Sequence, residues 1–160
     1  MICIGIDPGL TGAVGILAHG RFVGVHDLPV MLTGTASKVS RMIDCAGLAT
    51  LLRQILADHS GEDFAVALER TGAMPGQGVS SMYSMGDSFG SIRGVVATLG
   101  LPLHMPVPGR WKKAMAISSD KEHGRAMAIS LFPAAPLNCK AHHNRAEALL
   151  LAEWLRRGIE

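Results

Sequence analysis

Apolar and small or polar residues alternate from the start of the chain, with Ile2, Ile4 and Ile6 set against Cys3, Gly5 and Asp7, the period of a β-strand. Pro8-Gly9 marks a turn, Ala13 to Leu17 is a second apolar run, and Arg21 to Leu28 reads as a third strand closed by Pro29, which predicts an antiparallel meander. Val30 to Arg41 is rich in Thr, Ser and Gly without a period and reads as a flexible loop. Leu48, Leu51, Leu52, Ile55 and Leu56 recur at helical spacing, predicting a helix from about Ile43 to Ala57. Phe64 to Leu68 is a short buried strand, followed by a Gly and Pro loop over Thr71 to Gly78. Met82, Met85, Phe89, Ile92, Val96 and Leu99 then step by three and four along a long helix, Val79 to Leu99. Small residues between them leave room for another helix or a DNA backbone.

Leu101 to Val107 is a fifth short strand, interrupted by Pro102 and Pro106 and so placed near an edge. Gly109 to Ala116 and Asp120 to Leu131 read as short helices, Asn138 to His143 as a polar connection, and Arg145 to Arg157 as the last helix. A meander followed by alternating strand and helix points to a three-layer α/β domain with a mixed five-stranded sheet.

Composition narrows the class. The 160 residues fit one domain, 1–160, long enough to bury a core. No apolar run approaches the roughly 20 residues that span a bilayer, so no membrane association is expected. Nor do the first residues carry a basic and apolar leader. Cys3, Cys45 and Cys139 are odd in number and irregularly spaced, which fits a reducing cytoplasm and not a disulfide framework. Net charge is only +2, yet nine of the fifteen Lys and Arg lie from Arg110 onward. Lys112, Lys113 and Lys121 belong to this stretch, which is either a phosphate-contacting surface or an ordinary solvated face.

Three carboxylates stand at element ends: Asp7 after the first strand, Glu69 after Phe64 to Leu68, and Glu147 in the first turn of the last helix. Acids gathered in a Gly-lined cleft repel one another unless they hold divalent cations, and a pair of Mg²⁺ ions about 3.5 to 4 Å apart supports phosphodiester hydrolysis. Each acid also has a plain structural reading. Asp7 before Pro8-Gly9 is a common turn residue, Glu69 can pair with Arg70, and Asn144 to Glu147 fits a capping box with Asn144 as N-cap. Cys139 with His142 and His143 lacks the paired ligands of a zinc site.

The segments Ile-Gly-Ile-Asp-Pro-Gly-Leu-Thr-Gly-Ala, Ala-Leu-Glu-Arg, Ala-Met-Pro-Gly-Gln-Gly-Val-Ser-Ser-Met-Tyr-Ser-Met-Gly, Arg-Trp-Lys-Lys and Arg-Ala-Glu-Ala-Leu-Leu-Leu-Ala occur in this order. Together they resemble the RuvC-type Holliday junction resolvases, above all their bacteriophage and prophage branch, from Met1 to about Leu155. The resemblance implies an RNase H-like fold, a homodimer on branched DNA in the bacterial cytoplasm, and cleavage of opposed strands with Mg²⁺ or Mn²⁺. It carries over Asp7, Glu69 and Glu147 as catalytic and metal-binding acids, and Lys121 as a basic residue near the DNA backbone. The family's fourth ligand has no acidic counterpart. Alignment with the phage branch favours His142 and that with some cellular members Asn144, whereas helical spacing puts His143 and Asn144 on the face of Glu147 and favours His143. A junction-binding relative that cleaves weakly or not at all stays open. So does an actin-like kinase or ATPase with a similar first hairpin, although that architecture closes two domains over a nucleotide, which one domain of this length does not supply; no nucleotide cofactor is expected.

Overall fold

The computed structural model describes residues 1–35, 38–72, 76–118 and 120–158. Its main sheet has five strands: β1 (Ile2–Asp7), β2 (Ala13–Ala18), β3 (Arg21–Asp27), β6 (Phe64–Leu68) and β7 (Leu103–His104), in the order β3-β2-β1-β6-β7. β1, β2 and β3 pair antiparallel, while β6 runs parallel to both β1 and β7. The mixed sheet expected from the alternation is therefore present. The Pro-flanked fifth strand shrinks to two residues at the edge, because Pro102 and Pro106 cannot donate to a ladder.

Helices cover both faces of the sheet. Ile2, Ile4 and Ile6, with Val66 and Leu68, pack against α1 (Cys45–Asp58) and α2 (Val79–Thr98). The alternate positions face the other way: Cys3 and Ala67 join the cluster built on α3 (Pro108–Ala114), α4 (Lys121–Leu131) and α5 (His143–Arg156). A side-chain period of two thus assigns Cys3, Gly5 and Asp7 to the α5 side. Two glycines let α5 come down onto the sheet. A Cβ on Gly5 would lie 2.0 Å from the Ala148 carbonyl oxygen, and one on Gly15 would lie 2.7 Å from the Leu149 nitrogen.

The structure corrects three expectations. Val30 to Arg41 is not a loop but falls largely in a separate two-stranded ribbon, β4 (Val30–Thr35) and β5 (Lys38–Ile43); residues 36–37 lie outside the described residues. Every residue of β4 is exposed, so no buried face imposed the alternation by which a strand is read. The last helix begins at His143, two residues early, with a short 3₁₀ turn, Lys140–His142, before it. In consequence Asn144 is not an N-cap, and the capping box is not formed. Residues 73–75 of the expected Thr71 to Gly78 loop lie outside the described residues. Among the described residues no helix is long and apolar enough to cross a membrane.

Candidate metal centre and nucleic-acid interface

Asp7 ends the central strand and is 9% exposed. Because β1 and β6 run parallel with Ile6 beside Leu68, the next residue on each strand, Asp7 and Glu69, leaves the sheet at the same end and on the same face. The Glu69 amide donates to the Ile6 carbonyl at 3.1 Å, tying the two strand ends together. Glu147 reaches this point from α5, one turn inside its N-terminus. That end is anchored by Asn144, whose side-chain amide donates to the Thr11 carbonyl at 2.6 Å and lies 3.1 Å from the Thr11 hydroxyl. The polar function of Asn144 is therefore to fasten α5 to the turn that follows Asp7. Arg145 adds a bidentate pair to Asp27, at 2.6 and 2.7 Å.

The three acids converge. Each offers a carboxylate oxygen, and these oxygens lie within 4.8 Å of one another. Burial raises the Asp7 carboxyl well above the usual carboxylate range, and the neighbouring charges of Glu147 and Glu69 raise it further. Glu69 is raised too, first by burial, with the Trp111 hydrogen bond pulling the other way. Carboxylates so placed are short of positive charge, since like charges sharing a desolvated site oppose ionisation.

Among the described residues, two side chains donate to the cluster, and both come from α3. The indole Nε1–H of Trp111 donates to Glu69 Oε1 at 2.8 Å, and the Lys112 ammonium meets Glu147 Oε2 at 2.9 Å. Trp111 is fully buried. Periodicity assigns this indole no role; its signal in the sequence is its place beside the lysines of Arg-Trp-Lys-Lys, since a buried Trp usually finds a partner for its N–H.

Other expected site residues fall at the margins. Neither His142 nor His143 puts a ring nitrogen into the acidic cluster. His143 Nδ1 faces the Lys140 carbonyl at 3.1 Å, so it carries the hydrogen, and Nε2 accepts from the Lys121 ammonium at 3.1 Å. His142 Nδ1 is buried without a hydrogen-bond partner among the described residues. Lys113 and Lys121 are exposed, whereas Lys112 is turned inward. A cavity of about 810 Å³ opens beside Glu69, bordered by Gly9, Thr11, Arg41, Arg70 and Ser84.

No protein-family model matches the chain. A search of solved structures finds Thermus thermophilus RuvC in complex with a Holliday junction substrate, with a TM-score of 0.63 and 20% identity over 99% of this chain and 97% of that one. The fold is RuvC-type. A second Thermus thermophilus RuvC structure overlays this chain with a TM-score of 0.57 and 22% identity, over 99% of this chain and 98% of the other. In sequence, the chain is 30% identical over 150 residues to the chloroplastic Holliday junction resolvase MOC1 of Chlamydomonas reinhardtii. That match takes in 82% of this chain but only 17% of the algal protein, so the chain spans about a sixth of its relative's length.

Proposed function

We propose that this RuvC-type chain is a metal-dependent endonuclease that hydrolyses phosphodiester bonds in four-way or other branched DNA, with Asp7, Glu69 and Glu147 as its catalytic acids. The observation that carries this reading is the meeting of three carboxylates, from β1, β6 and α5, within 4.8 Å. When ionised, the three carboxylates outnumber the one ammonium that touches them by two charges. Their all-oxygen donor set suits Mg²⁺ or Mn²⁺. Such cations, when bound, lower the pKa of water and stabilise the leaving oxygen of an in-line displacement.

The residues themselves divide the work. Asp7 and Glu69 hold the cations from the rigid sheet, Glu147 closes the site from the helix, and Trp111 keeps Glu69 turned toward its partners. Lys113 and Lys121, both exposed, contact backbone phosphates and so bind without reading bases. The histidines stand outside the acidic cluster; a strong preference for Mn²⁺ that His143→Asp or His142→Asp reverses would bring that residue into the shell. The 160 residues act as one domain, and no nucleotide cofactor enters the reading. Three free thiols suit a reducing cytoplasm, bacterial or phage-directed.

A homodimer belongs to the same proposal, since a two-fold enzyme matches the paired cuts of a four-way junction. Val79 and Tyr83, 78% and 76% exposed, lie along α2 near Gly86, Gly90 and Gly94, whose missing side chains leave open space. The test is strand-mapped cleavage of synthetic four-way junctions, forks and linear duplex with Mg²⁺ and Mn²⁺. Opposed cuts near the branch point, abolished by Asp7→Asn or Glu69→Gln while junction binding persists, are expected. Binding without cleavage in wild type would leave the inactive junction-binding relative as the better account.

A further inference from the structure

We propose that Lys112 is a positioning residue for the cation site: its ammonium stands in for a cation against Glu147 and moves to a DNA phosphate when a cation arrives. The inference rests on the metal-site reading above. Lys112 and Glu147 side chains are only 23% and 15% exposed, so their 2.9 Å contact is shielded from the solvent that weakens surface pairs. The ammonium lies 5.4 Å from the centre of the neighbouring indole ring, a favourable placement for a cation. That ring is itself held to Glu69. Helix α3 therefore aims one donor at each of two acids and presents them as a unit.

Lys112 also borders a second space. A cavity of about 610 Å³ is lined by Lys112, Lys113, Ser118 and His123 and by none of the three acids. A long flexible stem lets one ammonium serve either side. With a divalent cation on Glu147, the ammonium is repelled and its favourable position becomes the basic cavity, where a phosphate oxygen completes it. Cation and DNA then strengthen one another's binding, because a coupling between two sites is necessarily reciprocal.

The experiment uses the full chain. Mn²⁺ binding is measured by calorimetry without DNA for wild type, Lys112→Met and Lys112→Arg. Binding of a labelled four-way junction is followed by fluorescence anisotropy in Ca²⁺ and in EDTA. Lys112→Met is expected to bind Mn²⁺ roughly tenfold tighter, within the usual range of coupling. Lys112→Arg, which keeps the charge, stays near wild type. The gain in junction affinity on adding Ca²⁺ shrinks several-fold in Lys112→Met. A residue needed only for packing would not tighten cation binding when removed. Lys112→Gln replaces Lys112→Met if circular dichroism finds the latter unfolded. Equal or weaker Mn²⁺ binding in the uncharged variant overturns the role of Lys112 alone. Mn²⁺ binding absent from wild type, or unchanged in Asp7→Asn, instead overturns the metal site on which it rests.

Discussion

Gly5→Ala should be far more damaging than the addition of one methyl group suggests. The new Cβ would sit 2.0 Å from the Ala148 oxygen and 2.5 Å from the Ala152 nitrogen, both backbone atoms that no rotamer change can move. Real Cβ contacts stop near 3.0 Å, so helix and strand must part by about 1 Å. α5 buries Ala148, Leu149 and Ala152 completely. A gap of that size forfeits a quarter to a half of each close dispersion contact, so about 3 kcal/mol or more should be lost. With a urea slope of about 2 kcal/mol/M, the unfolding midpoint falls by roughly 1.5 M. Glu147 rides on the same helix, and a displacement of about 1 Å at a reacting centre is worth about 100-fold in rate. Gly24→Ala is the control, since its nearest neighbours lie at 3.4 and 3.7 Å and both are side-chain atoms. Urea unfolding and junction cleavage would be measured on both variants. A Gly5→Ala protein within about 0.5 kcal/mol of wild type, the ordinary scatter of harmless substitutions, would refute the claim that bare glycine sets the height of α5.

Three other substitutions probe separate parts of the molecule. Asp7→Asn should stabilise the metal-free protein at neutral pH. The folded-state pKa of Asp7 is raised, so the wild type loses stability as pH climbs from about 3.9, the unfolded value, through the folded one; thermal melts of both proteins in EDTA should converge near pH 4. Gly90→Ala adds a Cβ to open space in α2 and should raise the stability of a monomer by about 0.5–1 kcal/mol. If α2 is the dimer seam, it should instead weaken association in sedimentation, and an unchanged dimer would remove α2 from the interface. Ala116 ends α3 at φ 55, with its amide on the Lys113 carbonyl and the Ile117 amide on that of Lys112, a Schellman arrangement that favours glycine. Ala116→Gly should therefore leave stability unchanged or raise it by up to about 1 kcal/mol, relief of left-handed strain outweighing unfolded-state entropy; a clear fall in thermal midpoint would count against strain at this cap.

The alternation Ile2-Cys3-Ile4-Gly5-Ile6-Asp7 by itself determined a strand, its two faces and the face on which Asp7 emerges, because side chains on an extended chain can only alternate. The short apolar run Phe64 to Leu68 likewise reads as a buried strand with Glu69 at its end, and the three-four stepping of Met82 to Leu99 determined α2. These are local consequences of backbone geometry, legible wherever one face is buried. The exposed ribbon carries no such pattern for the converse reason: Leu32 and Val39, 70% and 62% exposed, answer to a partner strand and to no core. What brought Asp7, Glu69 and Glu147 to one point was decided only by the tertiary structure. Parallel pairing of β1 with β6 is a contact between segments some sixty residues apart, and no local pattern states it. The same holds for the two donors of α3. Whether Lys112 turns toward solvent or toward Glu147 depends on where α3 lands beside α5, and that is set by Trp111 filling the core between them and finding in Glu69 the partner for its one N–H.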